Sequence, residues 1–189
     1  MTSFTALLDA CVLYPASLRD LLMEFAVAGM FRARWTDRIH DEWIRSLLAT
    51  RTDLNPARLS RTRELMNQAI PDSLVTDYAD LIDGLTLPDE NDRHVLAAAI
   101  KCGAGVIVTS NLQDFPKDYL ARFGIDAQHP DDFIACQFDL NIAVACTAIK
   151  RLRQRLKNPP MNVAEYIRTL ETLQLPQTVS RVKAFDDLL

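Results

Sequence analysis

The chain has 189 residues, of which 49% are hydrophobic and 24% charged, and its formal net charge is −4. This is an ordinary globular composition with enough chain to bury a core, and it argues against a surface coated by nucleic acid throughout. No segment approaches the roughly 18 apolar residues of a membrane span, and the first residues lack the basic region of a secretory signal, so we expect no membrane partner.

The N-terminal part alternates strand and helix patterns. Residues 4–9 form a brief apolar run that predicts a buried strand, and a second such run predicts a strand over 106–109. Residues 125–127 could add another short strand. Helices are predicted over 16–29, from about 36, and over 56–69, 76–84, 91–102 and 117–123. Strands that alternate with helices indicate a layered α/β fold with a parallel sheet.

The C-terminal part carries only helical patterns. We predict a helix near 130–138 capped by Asp131 and Asp132, and further helices over 141–157, 162–174 and 176–188. We therefore expect a first domain of residues 1–140 and a helical extension of residues 141–189.

The charge is distributed unevenly along the chain. Residues 1–144 carry 13 basic and 21 acidic side chains, whereas residues 145–189 carry eight and four. This asymmetry fits a metal site beside a phosphate-binding surface, but it also arises by chance. The four cysteines form no C-x-x-C pair, so we expect reduced, mostly buried thiols in a cytoplasmic protein.

Four acidic residues stand out by their positions: Asp9, Glu42, Asp92 and Asp114. Asp9 ends the first apolar strand, and Asp114 follows the second strand after a short polar loop. Ligands of an open parallel sheet collect beyond the carboxyl ends of its strands, so these acids face one crevice. Clustered carboxylates repel unless a cation neutralises them, and oxygen ligands favour magnesium or manganese.

Each acid also has a purely structural interpretation. Asp9 could accept hydrogen bonds from a helix N-terminus, and Asp92 and Asp114 could cap helices. Glu42 could be an ordinary acid on a helix surface.

Four sequence segments resemble the signature segments of PIN domains, in the order and rough spacing of that family. They are LLDACVLYP at 7–15, DEW at 41–43, DRHVLAAAI at 92–100 and VTSNLQDFP at 108–116. The similarity is greatest to the VapC-like bacterial branch with a helical C-terminal extension, and HPDDF at 129–133 and LKNPP at 156–160 extend it along the chain. The resemblance implies a three-layer α/β/α fold with a central parallel sheet and a C-terminal helical appendage.

The resemblance also implies an activity and its residues. Asp9, Glu42, Asp92 and Asp114 are expected to bind one or two magnesium or manganese ions in an endoribonuclease that leaves a 5′-phosphate and a 3′-hydroxyl. Other pocket residues are expected to be Thr109, Ser110, Asn111 and Asp89, the last of which could assist or merely cap a helix. Cys11 departs from the family, which often has asparagine or another polar residue at that position. The expected partners are RNA, an antitoxin protein and a second copy of the chain.

Several basic and aromatic residues are weaker candidates. Arg93 and the helix cations Lys150, Arg151, Arg153 and Arg155 could bind RNA phosphates, or they could form solvated surfaces. The segment 31–35 interleaves aromatic and basic residues that could stack on bases, although Trp35 is more typical of a core residue. His40 and His94 fit hydrogen-bonded or surface roles better than catalysis.

Other classes of protein fit less well. A phosphoryl-transfer enzyme with an aspartate nucleophile typically needs a second aspartate two residues after Asp9, where Cys11 stands. A receiver domain needs an acidic pair at the first strand and a lysine after a late strand, for which Lys117 is badly placed. The nucleotide-binding glycine motifs are absent. The remaining alternative is a catalytically silent PIN-like module that binds RNA or protein.

Overall fold

The structure is a computed structural model that describes residues 4–157 and 159–188. The chain divides into two compact units. The first unit comprises Met1–Tyr14 and Phe31–His129, and the second comprises Pro15–Met30 and Pro130–Leu189. The boundary near residue 140 that we expect from the sequence stays a prediction.

A parallel four-stranded sheet organises the first unit. Its strands are β1 (Thr5–Leu8), β2 (Arg32–Arg34), β3 (Val106–Val108) and β4 (Asp126–Gln128). They are arranged in the order β2-β1-β3-β4. Leu8 is in register with Val108 on the neighbouring strand. The residues that follow these two strands, Asp9 and Thr109, therefore emerge side by side at the carboxyl edge of the sheet.

Eleven helices are assigned within the described residues. In chain order they are α1 (Ala10–Leu13), α2 (Ala16–Val27), α3 (Asp37–Thr50), α4 (Pro56–Ala69), α5 (Ala79–Ile82), α6 (Arg93–Cys102), α7 (Lys117–Leu120), α8 (Pro130–Leu140), α9 (Ile142–Arg155), α10 (Val163–Thr172) and α11 (Pro176–Ala184). Single turns of 3-10 helix cover Glu90–Asp92, Leu112–Asp114, Ala121–Phe123 and Asp186–Leu188.

Local sequence signals fix the ends of the helices near the sheet edge. The Thr36 hydroxyl accepts the Ile39 N–H at 3.0 Å and so begins α3. Gly103 ends α6 with a φ of +63°, a left-handed conformation that glycine adopts without strain. Helix α6 packs against β1 and β3. Every side chain from His94 to Ala99 in this helix is buried. The helix therefore holds its N-terminus, and Asp92 just before it, beside the sheet.

The second unit is a bundle of helices. Helix α2 packs against α9 and α10, and α8 packs against α9 and α11. Its core includes Phe25 from α2, Ile149 from α9 and Tyr166 from α10, each at most 2% exposed. A capping box between Asn162 and Glu165 begins α10.

The α/β fold with a central parallel sheet and C-terminal helices, predicted from the sequence, is confirmed. Two short elements were not predicted, α1 and β2. Strand β2 has only three residues, two of them arginine, so it lacks the apolar run that marks β1 and β3. Phe31 and Trp35 at its ends are 1% and 0% exposed, which leaves no ring face for stacking on bases. The core position of Trp35 is thus confirmed.

The predicted role of Asp131 as a cap of its own helix is wrong. Helix α8 already begins at Pro130. The buried Asp131 carboxylate instead accepts the N–H groups of Gln177 at 2.9 Å and Thr178 at 2.8 Å. These amides belong to the first turn of α11, so Asp131 caps a helix that lies 45 residues further along the chain.

The cysteines are free thiols, but the prediction that they are mostly buried is wrong. Cys146 is buried, Cys11 and Cys102 are partly exposed, and Cys136 is exposed. No single helix in the described ranges is long and apolar enough to cross a membrane. Helices α8 and α9 meet that standard only as a pair bent by 119°.

Candidate functional site

Asp9 is a buried carboxylate with three hydrogen-bond donors. It is 5% exposed and directly follows β1. One oxygen, Oδ1, accepts the Ala10 N–H at 2.6 Å. The other, Oδ2, accepts the Thr109 hydroxyl at 2.7 Å and the Cys11 thiol at 3.2 Å. These donors offset the cost of burying the charge, and they fix the direction of the side chain.

Thr109 links Asp9 to the loop after β3. Its hydroxyl donates to Asp9 and accepts the Asn111 N–H at 3.1 Å. The residue is fully buried, whereas its neighbours Ser110 and Asn111 are exposed. Thr109 therefore supports Asp9 from behind, and Asn111 is the member of this loop that reaches the cavity described below.

Cys11 takes part in the same network despite its departure from the family pattern. Its sulfur donates to Asp9 and accepts the Ser110 N–H at 3.2 Å. Burial, together with the negative charge of Asp9, raises the pKa of the Cys11 thiol to about 12. The group is therefore a neutral thiol that can donate to the carboxylate.

Glu42 projects from α3, and its carboxylate is held by two basic side chains, His94 and Arg38. His94 Nε2 lies 3.0 Å from Glu42 Oε1, and Arg38 Nε lies 3.2 Å from the same oxygen. Partial burial opposes ionisation of Glu42, but the hydrogen bonds and charges of His94 and Arg38 outweigh it and lower the pKa. His94 is 1% exposed, so the side chain that orients Glu42 comes from inside the fold.

Asp92 is the most perturbed acid of the group. Burial, and then the charges of Asp9, Asp89, Asp114 and Glu42, raise its pKa from 3.8 to about 7. Although Asp92 precedes α6, its side chain makes no capping hydrogen bond. The capping interpretation of Asp92 is thus wrong, and its carboxyl group belongs to the acidic cluster.

Asp89 and Asp114 contribute mainly their charge. Asp89 Oδ1 accepts the Asn91 N–H at 2.8 Å and so caps the turn before α6. Asp114 ends the turn Leu112–Asp114, where its backbone N–H donates to Asn111 O at 3.0 Å. Both acids are close enough to Asp92 to raise its pKa.

A cavity of about 360 Å³ opens at this edge of the sheet. Its lining combines three of the four predicted acids with polar and aromatic side chains. The lining residues are Asp9, Ala10, Cys11, Tyr14, Glu42, Trp43, Ser46, Asp92 and Asn111. Asp114, Thr109, Ser110 and Asp89 are not among the lining residues, so the structure gathers only part of the predicted set around this cavity.

A comparison with protein families identifies this arrangement. A model described as "PIN domain" matches residues 5–113, which is more than half of the chain and includes Asp9, Glu42, Asp92 and Asn111. The chain belongs to the PIN domain family. A second model, "VapC50 C-terminal domain", matches residues 130–184 of this PIN protein.

The alignment with one curated relative covers most of each chain. The chain is 34% identical over 129 residues to the "Putative ribonuclease VapC50" of Mycobacterium tuberculosis (strain ATCC 25618 / H37Rv). The aligned part is 67% of this PIN protein and 76% of the relative. No solved structure matches the chain.

The described part of this PIN protein contains no group of three or more His, Cys, Asp or Glu side chains arranged to hold a metal ion. Asp9 and Glu42 are instead directed at protein donors. The donor chemistry still fits a hard divalent cation, because the cavity offers oxygen ligands. Burial, and then the charges of the neighbouring acids, raise the pKa of Asp92 to about 7, and a cation would oppose that repulsion. Magnesium usually keeps several waters and uses only one or two carboxylates, so a three-ligand cage is not required.

The predicted RNA-binding cations have protein partners in most cases. Arg93 donates to the Glu90 carboxylate at 3.0 Å and to the Glu90 carbonyl at 3.1 Å. In the second unit, Lys150 donates to Leu188 O at 3.3 Å, Arg153 to Met161 O at 3.1 Å, and Arg155 to Glu24. Arg151 is exposed on α9. Contact of these side chains with RNA stays a prediction.

Sequence reasoning missed some residues of the site. Tyr14, Trp43 and Ser46 line the cavity. Tyr14 and Trp43 lie within the PIN-like segments at 7–15 and 41–43, but neither carries an acidic group, and Ser46 lies outside these segments. His94 was expected to be a support or a surface residue. The supporting role is confirmed, and the place of His94 at the start of the apolar run of α6 signals its burial. His40 is fully buried and lies 3.0 Å from Trp43 Nε1, which likewise makes it structural.

Proposed function

We propose that the protein is a divalent-metal-dependent endoribonuclease and the toxin of a toxin–antitoxin pair. The observation that carries this proposal is the convergence of Asp9, Glu42 and Asp92 on one cavity, where the pKa of Asp92 is raised to about 7. A structural cluster would gain nothing from an acid that its neighbours destabilise, whereas a cation would neutralise that repulsion. The ribonuclease name of the VapC50 relative supports the same conclusion.

In this proposal Asp9, Glu42, Asp92 and Asp114 hold one or two magnesium or manganese ions. The cation would supply a water of lowered pKa and would polarise the scissile phosphate. Thr109 and Cys11 hold the Asp9 carboxylate in position. His94 and Arg38 do the same for Glu42, and Asn111 offers an amide at the cavity wall. These supports hold the two carboxylates in position before RNA arrives.

The partners follow from the family. Single-stranded or looped RNA is the proposed substrate, because its unpaired bases can be splayed out and contacted by side chains. We propose a cognate antitoxin that occludes the acidic cavity, and the exposed face of residues 141–189 as a docking or dimer surface. We further propose that Arg93 or the basic side chains of α9 bind RNA phosphates, and that the protein is cytoplasmic.

The deciding experiment is cleavage of total cellular RNA by the purified protein with manganese or magnesium, repeated in EDTA. Asp9→Asn removes the charge of the central carboxylate, and Asp118→Asn makes the same change at an exposed acid on α7. We expect metal-dependent cleavage by the wild-type and Asp118→Asn proteins and none by Asp9→Asn. Equal cleavage by all three proteins would mean that Asp9 is not part of the reacting site.

A catalytically silent binding module is the second candidate. It is favoured by one observation, that no described group of three side chains is arranged to hold an ion. Titration with manganese separates the two candidates, because the nuclease must bind the metal and lose that binding in Asp9→Asn. Tight RNA binding that is unaffected by EDTA, with no cleavage under any condition, would favour the silent module.

A further inference from the structure

The cavity has a second kind of surface besides its carboxylates. Tyr14, at the end of α1, lines it together with Trp43 and Ser46 of α3. Trp43 is 1% exposed and its indole N–H is directed at His40, so it belongs to the core. Tyr14 is partly exposed. Among the described lining residues, Tyr14 is therefore the aromatic side chain that is open to a ligand.

The Tyr14 ring is held in place from both ends. Its backbone N–H donates to Ala10 O at 3.0 Å, which fixes the residue at the end of α1. Its hydroxyl lies 2.7 Å from the Thr50 hydroxyl. The Thr50 hydroxyl is also 3.0 Å from Ser46 O, to which it can donate, so Tyr14 acts as the donor to Thr50. The phenol is satisfied by the protein, and the flat ring is the part left for a ligand.

The position of the ring relative to the acids suits a nucleotide. Glu42 and Thr50 lie on the same helix, eight residues apart, which corresponds to about 12 Å along its axis. Tyr14 reaches α3 at Thr50, and Asp9 precedes the four-residue helix α1 that Tyr14 ends. The Tyr14 hydroxyl thus meets α3 about two turns beyond Glu42, and Tyr14 lines the same cavity as the carboxylates. An RNA chain carries a phosphodiester followed by a flat base. The phosphodiester would meet the cation held by the carboxylates, and the base would meet the ring.

We propose that Tyr14 is a substrate-binding residue that stacks on an RNA base next to the scissile phosphate. The inference deepens the proposed nuclease function and rests on it. Stacking on an aromatic side chain is tolerant of sequence, because every base has a π-face. A ring that is already oriented loses little conformational entropy when a base stacks on it. Tyr14 therefore adds affinity for unpaired nucleotides at the cavity without selecting a particular base.

A matched pair of variants separates stacking from bracing. Tyr14→Phe and Tyr14→Leu both lose the hydroxyl contact with Thr50, and both fill the space with an apolar side chain. Only Tyr14→Phe keeps the flat ring. Any loss of stability from the missing hydroxyl is shared by the two proteins, so a difference between them reports the ring itself.

The first measurement uses a single-stranded oligoribonucleotide with one 2-aminopurine, whose fluorescence falls when the base stacks on a ring. In the Asp9→Asn background, which prevents cleavage, we expect quenching and affinity to be kept by Tyr14→Phe. We expect Tyr14→Leu to lose the quenching and to bind about 5- to 150-fold more weakly. The second measurement is cleavage in the active background, where Tyr14→Leu should raise KM by a similar factor with a smaller change in kcat.

The outcomes distinguish this inference from the proposed function. Equal behaviour of the Phe and Leu variants, whether both weaken or neither does, would overturn the stacking role and leave Tyr14 as a brace between α1 and α3. Absence of metal-dependent cleavage by the wild-type protein would overturn the nuclease. In that case a Phe-versus-Leu difference in quenching would still establish Tyr14 as an RNA contact.

Discussion

Asp92→Asn should stabilise the metal-free protein at neutral pH while abolishing cleavage. The pKa of Asp92 is raised from 3.8 to about 7, chiefly by burial and then by Asp9, Asp89, Asp114 and Glu42. The folded state therefore binds this proton more tightly than the unfolded state does. Below about pH 4 both states are protonated and the group contributes nothing, but stability falls as the pH rises from about 4 to about 7 and stays low above that.

The magnitude follows from the size of the shift. Three pKa units correspond to about 4 kcal/mol for a fully desolvated group. Asp92 is half-buried, and solvent screening reduces the contribution to about 1–2 kcal/mol. For a chain of this length, 1 kcal/mol moves the Tm by about 2–4 °C, so the variant should melt about 2–8 °C higher at pH 8.

The assay is thermal unfolding followed by circular dichroism in EDTA, at intervals between pH 4 and pH 8. We expect the difference in Tm between Asp92→Asn and the wild-type protein to grow as the pH rises and to level off above about pH 7. Asp118→Asn serves as the control for removing an acid from an exposed helix. A difference that is absent at pH 8, or that shrinks as the pH rises, would refute the idea that Asp92 is held at an electrostatic cost.

Two other variants test the supports of the structure. Thr109→Val removes the hydroxyl that donates to Asp9 at 2.7 Å, so it should lower the free energy of unfolding by about 1–3 kcal/mol and abolish most of the cleavage. Thr109→Ser keeps the hydroxyl and should preserve both stability and cleavage. An equal loss in Thr109→Ser would show that packing of the methyl group, and not the hydrogen bond, is what matters. Arg155→Ala leaves the carboxylate of Glu24, which is 3% exposed, without its ion-pair partner and should destabilise by about 1–3 kcal/mol in chemical denaturation. The same change at Arg151, exposed on the same helix, should be close to neutral, and similar losses in both would contradict the role of the pair.

The sequence predicts the sheet and the acids because their signals are local. A short apolar run marks β1, and an acid at its end must be stabilised by something, so Asp9 stands out. Glu42 and Asp92 gain significance only from their order along the chain and the family resemblance. The structure adds the cavity that joins them and the raised pKa of Asp92, which depends on burial and then on charges from four separate positions.

The features missed from the sequence depend on contacts between distant residues. Asp131 looks like a cap of its own helix, but its partners are the amides of Gln177 and Thr178. Tyr14 lies within the PIN-like segment at 7–15, but nothing in that segment shows that its hydroxyl meets the distant residue Thr50. Sequence periodicity reports which face of a helix is buried, but it does not report which distant polar group meets it.

The composition of the second unit bears on how the protein is made. Helix α2 is translated early, but the helices it packs against, α9 and α10, end at Arg155 and Thr172. At about 5–20 residues per second, roughly 7–30 s separate synthesis of α2 from completion of α10. During that interval helix α2, whose residues Leu18, Leu21, Leu22 and Phe25 are buried in the folded protein, has neither α9 nor α10 to pack against. The nascent chain therefore presents a hydrophobic helix to chaperones well before its last helices emerge.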